Sequence, residues 1–426
     1  LTGLFRGRRA SWFGLAALAI VLLPILAACG GGSDSGDTDI SWQPGLPSQT
    51  AVAETPPPAE TQTTDVPADA TTAPEAPTPT GETASTVTTD PGVSGQALTQ
   101  EQLAQYQPNE LGKILVLEYH QLTNDPAQVA QFVRTYDSLR ADLQWLYDNN
   151  FYVVSMQSVI ENAITAPAGK KPVVLTFDDS PVNQFRFLVG GDGTLTVDPE
   201  SGVGILEAFY QAHPDFGRGG LFGTLPNSCF FGDIGGVVEE DQIDLCSQKL
   251  NFLIDNGYEV GNHTLNHENI QDVDDDTFKE EVGGAIDALQ ALDSRVQANI
   301  FVVPFGLYPE FGTRDNQRVW MQDGFDWNGK EYKLIGSLMV GSEPAFSPVS
   351  TEWDSMWIAR IQMCDCTEQG GSGWDDMWQQ LVTDNPAILY VSDGDPNTIT
   401  IPDTLDPTLD GTFDDSKAEG KEVIRY

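Results

Sequence analysis

Pro172-Val173-Val174-Leu175-Thr176-Phe177-Asp178-Asp179 is the stretch on which the reading of this chain turns. An apolar run of strand length passes straight into two adjacent carboxylates, which no core partner at that strand end can discharge. The surrounding pattern shows what kind of strand this is. Upstream, Ile114 to His120 is another short apolar run, and Phe132, Tyr136, Leu139, Leu143, Leu146 and Tyr147 recur at helical spacing. Phe151 to Val154 reads as a strand and Val159 to Ile164 as a helix. Strands alternating with helices imply a parallel sheet buried on both faces.

Downstream the alternation resumes after an interruption. Residues 183 to 204, rich in Gly, Asp and Thr, read as an inserted loop. Ile205 to Ala212, Gln248 to Asn256 and Thr277 to Ser294 are helical patterns, and residues 257 to 262 carry the chain toward His263. Asn299 to Pro304, Leu334 to Val340 and Ala387 to Val391 are the remaining strands, and the acidic tail from Ser392 to Tyr426 reads as loop. This α/β pattern predicts one closed barrel over residues 109–426 rather than two domains.

The first quarter of the chain cannot belong to that barrel. Arg6, Arg8 and Arg9 precede an apolar run from Trp12 to Ile25 that ends in Leu26-Ala27-Ala28-Cys29, so residues 1–28 read as an export signal. The tetrapeptide resembles a bacterial lipobox, which implies cleavage before Cys29, lipid on its sulfur and a protein held on the outer face of the membrane. Residues 29–108 are Pro, Thr, Ser, Gly, Ala and acid, with no Lys or Arg before Lys113, and read as a disordered spacer. A net charge of −42 and a pI near 4.1 exclude nucleic acid as a partner. With Cys29 assigned to lipid, four cysteines remain, and Cys229 with Cys246 is the preferred disulfide, although spacing alone does not fix connectivity. Cys364-Asp365-Cys366 is a poor zinc signature.

In a parallel α/β barrel the reactive groups gather at the C-terminal strand ends. Asp178 and Asp179 sit at one such end, and His263-Thr264-Leu265-Asn266-His267 brings two imidazoles to another. One carboxylate with two imidazoles suits Zn²⁺ or a similar divalent ion, with positions left for water and substrate. Two of the chain's four histidines fall in that one pentapeptide.

Thr176-Phe177-Asp178-Asp179 followed by His263-Thr264-x-x-His267 resembles the polysaccharide deacetylases of carbohydrate esterase family 4, the NodB-type domain. The resemblance runs from about Lys113 to Asp393 and includes the Tyr119-His120 strand end. It implies a distorted (β/α)7 barrel and removal of acetyl groups from N-acetylated sugars of an extracellular or cell-wall polysaccharide. It further implies Asp178 as general base and Asp179, His263 and His267 as ligands of a metal, zinc first, with cobalt, nickel or manganese as alternatives. Pro304, Phe305 and His120 would line the substrate site of a monomer.

Two positions depart from that family. Val302 stands where the third motif carries an Arg, and Arg360 is the cation that could replace it from a later strand. Ser392, in Leu389-Tyr390-Val391-Ser392-Asp393, takes the place of the general-acid His. Asp393, His120 or a metal-bound water would then have to supply the proton, and a catalytically impaired carbohydrate-binding lipoprotein is the alternative reading. A hydrolase of some other amide or ester is the third. Phe305, Tyr308, Trp320, Trp327, Trp353 and Trp357 are candidates for stacking on a sugar, and the acidic runs Asp272 to Asp276 and Asp403 to Asp415 lack calcium-loop spacing.

Overall fold

The computed structural model describes residues 98–426 except 233–237, 342, 365–372 and 405–410. The export signal, Cys29 and all but the end of the spacer lie outside the described residues, and everything below concerns the unit Ala84–Tyr426. Among the described residues no helix is long and apolar enough to cross a membrane.

Eight strands form one parallel sheet: β1 Leu115–Tyr119, β2 Phe151–Val153, β3 Lys171–Phe177, β4 Leu221–Thr224, β5 Glu259–Asn262, β6 Ile300–Val302, β7 Gly336–Leu338 and β8 Ile361–Gln362. Their order is β7-β6-β5-β4-β3-β1-β8. One edge of β3 is shared, with β2 pairing its first half (Phe151 with Lys171) and β4 its last two residues (Thr176 with Leu221). Seven positions therefore run around the sheet, and its two ends meet on one irregular segment. Ile358 bridges Leu338 of β7, while Ile361 pairs with Leu117 of β1. The outcome is the distorted (β/α)7 arrangement expected for this region.

Period-2 alternation sorts each strand's side chains into two layers. Leu115, Leu117 and Tyr119 pack outward with Leu139, Leu143 and Leu146 of helix α2 (Tyr136–Asp148). Ile114 and Val116 pack inward with Val174, Val302 and Leu338. Continuing the inward register past the apolar residues leads to Glu118 and His120 on β1, and to Thr176 and Asp178 on β3. The apolar filling of the barrel thus gives way to polar groups at its C-terminal end.

Several elements differ from the sequence-based expectation. β4 and β8 were not foreseen: β4 is a short run bounded by Gly220 and Pro226, and β8 has two residues, paired with β1. The inserted loop contains an antiparallel hairpin, Phe187–Val189 with Leu195–Val197. Residues Gln100–Tyr106, expected within the spacer, form a helix opened by a Thr99–Gln102 capping box, with Leu103 buried. The tail is not all loop, since Thr398–Ile401 pairs in parallel with Glu422–Arg425.

Ala387 to Val391 is no sheet strand. Pro386–Ile388 is a 3₁₀ turn, after which Leu389 bridges Lys113 and Val391 bridges Asn109, just ahead of β1. Gly112 permits that approach, because a Cβ there would lie 2.3 Å from the Leu389 carbonyl carbon. The segment therefore docks at the N-terminal end of the barrel. There Glu110 accepts from the amides of Thr400 and Asp393 and from the Tyr390 hydroxyl. Burial, then the charge of Asp393, pushes the Glu110 carboxyl up to about 8.

Cys229, after β4, is bonded to Cys246, the first residue of helix α5 (Cys246–Asp255). The bridge spans 17 residues, for which closing the loop is worth about 3 kcal/mol. Replacing both cysteines by Ala should lower the unfolding free energy by about that amount in urea titrations. Glu110 acts on stability through pH. Its folded pKa of about 8 exceeds the ordinary 4.5, so between these values the unfolded chain is ionised while the folded one holds the proton. Unfolding free energy from this group should fall as pH rises through that window, and Glu110→Gln should flatten the slope in pH-dependent urea titrations.

Candidate metal centre

The last inward residue of β3's register is Asp178, and the chain turns sharply after it. Asp179 and Ser180 have φ of 70° and 46°, a left-handed pair that swings Asp179 away from the strand direction. Such a turn persists only when its surroundings hold it. Ser180 is gripped from the disulfide-linked loop: its hydroxyl accepts from Leu225 N–H at 3.1 Å and its carbonyl from Phe230 N–H at 2.8 Å. Gln184 donates to the carbonyls of Asp178 (2.6 Å) and His120 (2.9 Å), tying the ends of β3 and β1 together.

Across the opening, His263 follows β5. Its Nδ1 lies 2.7 Å from the Val302 carbonyl, so that nitrogen carries the proton and donates, leaving Nε2 as the free donor atom. Nε2 of His263 is 3.1 Å and Nε2 of His267 is 3.3 Å from the same oxygen, Oδ1 of Asp179. For bonds of the usual zinc length a tetrahedral edge is about 3.4 Å, so the three donors stand nearly as far apart as a shared ion requires. Buried Val302 supplies the outer partner that fixes a metal-binding imidazole's tautomer. The residues fit a divalent ion. Burial raises the Asp179 carboxyl, but the imidazoles of His263 and His267 against its Oδ1 outweigh it and hold Asp179 well below the ordinary range.

Beside this set lies a fully buried ion pair. Arg360 Nη1 is 2.7 Å from Asp178 Oδ1 and its Nη2 is 2.8 Å from Oδ2, a two-pronged clamp. Nη1 also donates to Thr176 Oγ1 at 3.1 Å and Nε to the Met339 carbonyl at 2.6 Å. Burial raises the Asp178 carboxyl, yet the guanidinium outweighs it and the pKa stays below the ordinary value. Arg360 is thus the cation that faces Asp178, a place that Val302 leaves without one. Glu118 is the residue missed at the sequence level. Wholly buried, its Oε2 is 3.2 Å from Arg360 Nε, and burial leaves its pKa raised despite the attraction of Arg360. The inward register Ile114, Val116, Glu118 was the signal that could have found it.

His120 belongs to the site. Its Nε2 is 3.7 Å from Asp178 Oδ2 and 3.6 Å from Glu118 Oε1, with the ring against Phe132. Phe305 also borders it: exposed, at φ 59°, its ring centroid is 4.5 Å from that of His267, and Pro304 beside it is buried. Of the other aromatics, Trp320, Trp327 and Trp353 pack against the hydrophobic core, while partly exposed Trp357 stacks on buried Tyr308. His213 lies between Tyr147 and Phe209, apart from the site.

Ser392 and Asp393 are a correction. Ser392 donates to the carbonyls of Lys170 (N–H, 2.9 Å) and Ala166 (Oγ, 2.8 Å), and Asp393 accepts from the hydroxyls of Thr398 and Thr400. Lys170 and Glu110 precede β3 and β1, so this cluster is at the end of the barrel opposite Asp178. Neither residue can act at the metal centre.

Residues 233–316 match the family model for polysaccharide deacetylase, a stretch that contains His263 and His267 but not the Asp178-Asp179 pair. No curated protein matches the sequence. Among solved structures, the chain is similar to the Streptococcus pyogenes deacetylase PplD in complex with acetate, at 16% identity and TM-score 0.44 over 63% of this chain and 97% of that one. A de-N-acetylase from Aggregatibacter actinomycetemcomitans gives 14%, 0.42, 63% and 99%, and BC0361, a polysaccharide deacetylase from Bacillus cereus, 13%, 0.42, 63% and 69%.

The donor set has a direct test. Titrated with Zn²⁺ against a chromophoric chelator, the protein should bind one equivalent at the centre, and Asp179→Ala, which removes the oxygen both imidazoles face, should abolish that binding with the unfolding midpoint of the metal-free protein little changed.

Proposed function

We propose that this chain is a metal-dependent hydrolase that removes acetyl groups from N-acetylated sugars of an extracellular or cell-wall polysaccharide, with zinc as the resident ion. The observation that carries the reading is the adjacency of two half-sites: the Asp179, His263 and His267 donors converge one residue along the chain from the clamped carboxylate of Asp178, whose charge His263 feels. The family match over residues 233–316 supports the choice of acyl substrate. A divalent ion at those donors would lower the pKa of bound water and polarise the acetyl carbonyl.

The chain's own residues divide the remaining work. Asp178, kept ionised and oriented by Arg360, accepts the proton of the attacking water as its oxygen bonds to the acetyl carbon. The carbon–nitrogen bond then breaks, and the leaving amine needs a proton. His120 Nε2, 3.7 Å from Asp178, is the donor of that proton in place of the remote Ser392. Phe305 beside His267 offers an apolar face to the sugar. Lipid on Cys29 and the extended acidic spacer would hold a monomeric barrel outside the membrane, within reach of wall polymer; supporting this are the basic start, the apolar run and the Leu26 to Cys29 tetrapeptide.

Acetate release from N-acetylglucosamine oligomers in the presence of Zn²⁺, Co²⁺ or Mn²⁺ is the test. Asp178→Asn and His120→Ala should each lower kcat by about 10²- to 10⁴-fold, and His263→Ala should abolish turnover. Activity that survives Asp178→Asn and His263→Ala sinks the reading. The non-catalytic carbohydrate binder predicts oligosaccharide binding with no acetate released, and Ser392→His, which would rescue a crippled acid position, should give no gain. Labelled fatty acid incorporated into the wild type but not into Cys29→Ala checks the anchor.

A further inference from the structure

The pentapeptide that carries both imidazoles is strained at two places. Thr264 has φ 65° and His267 φ 60°, and neither is a glycine. A left-handed backbone is unfavourable for an L-residue, most of all for a β-branched one, and persists only where its surroundings hold it. Part of the hold is local: Asn262 Oδ1 accepts from Thr264 N–H at 2.9 Å, and Thr264 Oγ1 accepts from Glu268 N–H at 3.1 Å. The rest comes from helix α6 (Asp275–Leu292), which packs behind the loop. Glu281, a buried residue on its inner face, takes both donors of Asn266: the backbone N–H at 2.9 Å on Oε2 and the side-chain amide at 2.7 Å on Oε1. Asn266 Oδ1 in turn accepts from Asn227 Nδ2 at 2.7 Å, which links this loop to the disulfide-bearing loop behind the Asp179 turn. On the next residue of the helix, the Val282 carbonyl accepts from Asn262 Nδ2 at 2.9 Å.

We propose that Glu281 is a positioning residue for the metal centre: by holding Asn266 at two points, it sets where His267 presents Nε2. This rests on the reading that Asp179, His263 and His267 hold a divalent ion. His263 is already oriented by the Val302 carbonyl, whereas His267 is the more exposed ligand, and among the described residues no backbone carbonyl accepts from its ring in that way. Its placement therefore comes through the backbone of the residue before it. A carboxylate suits that task because it accepts only: two N–H groups converge on it, and an amide of the same shape would turn one acceptor into a donor facing a donor.

Zn²⁺ affinity by chelator competition, measured together with the urea midpoint of the metal-free protein, tests the assignment. Glu281→Gln should weaken Zn²⁺ binding by about 10- to 100-fold, as loss of an outer partner of a ligand typically does. Asn266→Ala should weaken it similarly, and in the Asn266→Ala background Glu281→Gln should add less than about threefold, because both act through one contact. An unchanged affinity in Glu281→Gln, with or without a lower urea midpoint, overturns the proposal, as does full additivity in the double variant. Failure of the wild type itself to bind Zn²⁺ would instead overturn the metal reading on which the proposal stands.

Discussion

The Asp178–Arg360 pair, a carboxylate and a guanidinium locked together inside the barrel, is the constraint around which the rest of this structure is arranged. Both side chains are removed from water, and stripping the partner from one member of such a pair typically costs about 3–5 kcal/mol. The pair is tolerable because every neighbour contributes: Thr176 and the Met339 carbonyl accept from Arg360, and Glu118 lies against its Nε. Arg360 sits on the segment from Ile358 to Gln362 that brings the two ends of the sheet together. Closing the barrel and pairing the buried carboxylate of Asp178 are therefore one event. A sheet that failed to bring that segment against β1 would leave Asp178 and Glu118 as like charges without a cation between them.

Around that pair, the ligand-bearing turns are held from outside rather than by their own preferences. Asp179, Ser180, Thr264 and His267 all lie at positive φ, and bonds from other elements help to hold both turns: Leu225 and Phe230 for the first, and Glu281, beside the local bonds of Asn262 and Thr264, for the second. The Cys229–Cys246 bridge anchors the loop that grips Ser180. Backbone strain at these turns persists because bonds from the scaffold hold it, and the same bonds fix where the side-chain donors stand. Opposite, the 387–393 segment and the paired tail strands close the N-terminal end around Glu110, so the two ends of the barrel carry separate polar clusters.

Much of this was legible beforehand where the signal is local. The β3 run is long, apolar and stopped by charge, and the α2 stripe repeats over several turns from Tyr136 on; Phe132, which shares the spacing, lies before the helix and is exposed. β8 was not legible because two residues carry no periodicity; its pairing exists only because β1 and the Ile358 bridge flank it. Leu389 to Val391 misled for a physical reason: a short apolar run ending in polar residues looks the same at either end of a barrel. Gly112 and Pro386, neither of them in that run, decide that it docks ahead of β1. Glu118 was overlooked although the inward register points to it, since a carboxylate in a wholly buried strand reads as an exception until its cation is seen.

The order of residues by itself determined the fold class, the two motifs and the identity of the three metal-ligand candidates, because strand ends and a histidine pentapeptide are settled within a few residues of chain. Only the tertiary structure decided that Arg360 clamps Asp178, that His120 and not Ser392 stands beside it, and that Glu281 holds the residue before His267. Those partners are separated by long stretches of sequence, and the distance between them is set by barrel register and by which segment closes the sheet. Neither is encoded in spacing along the chain.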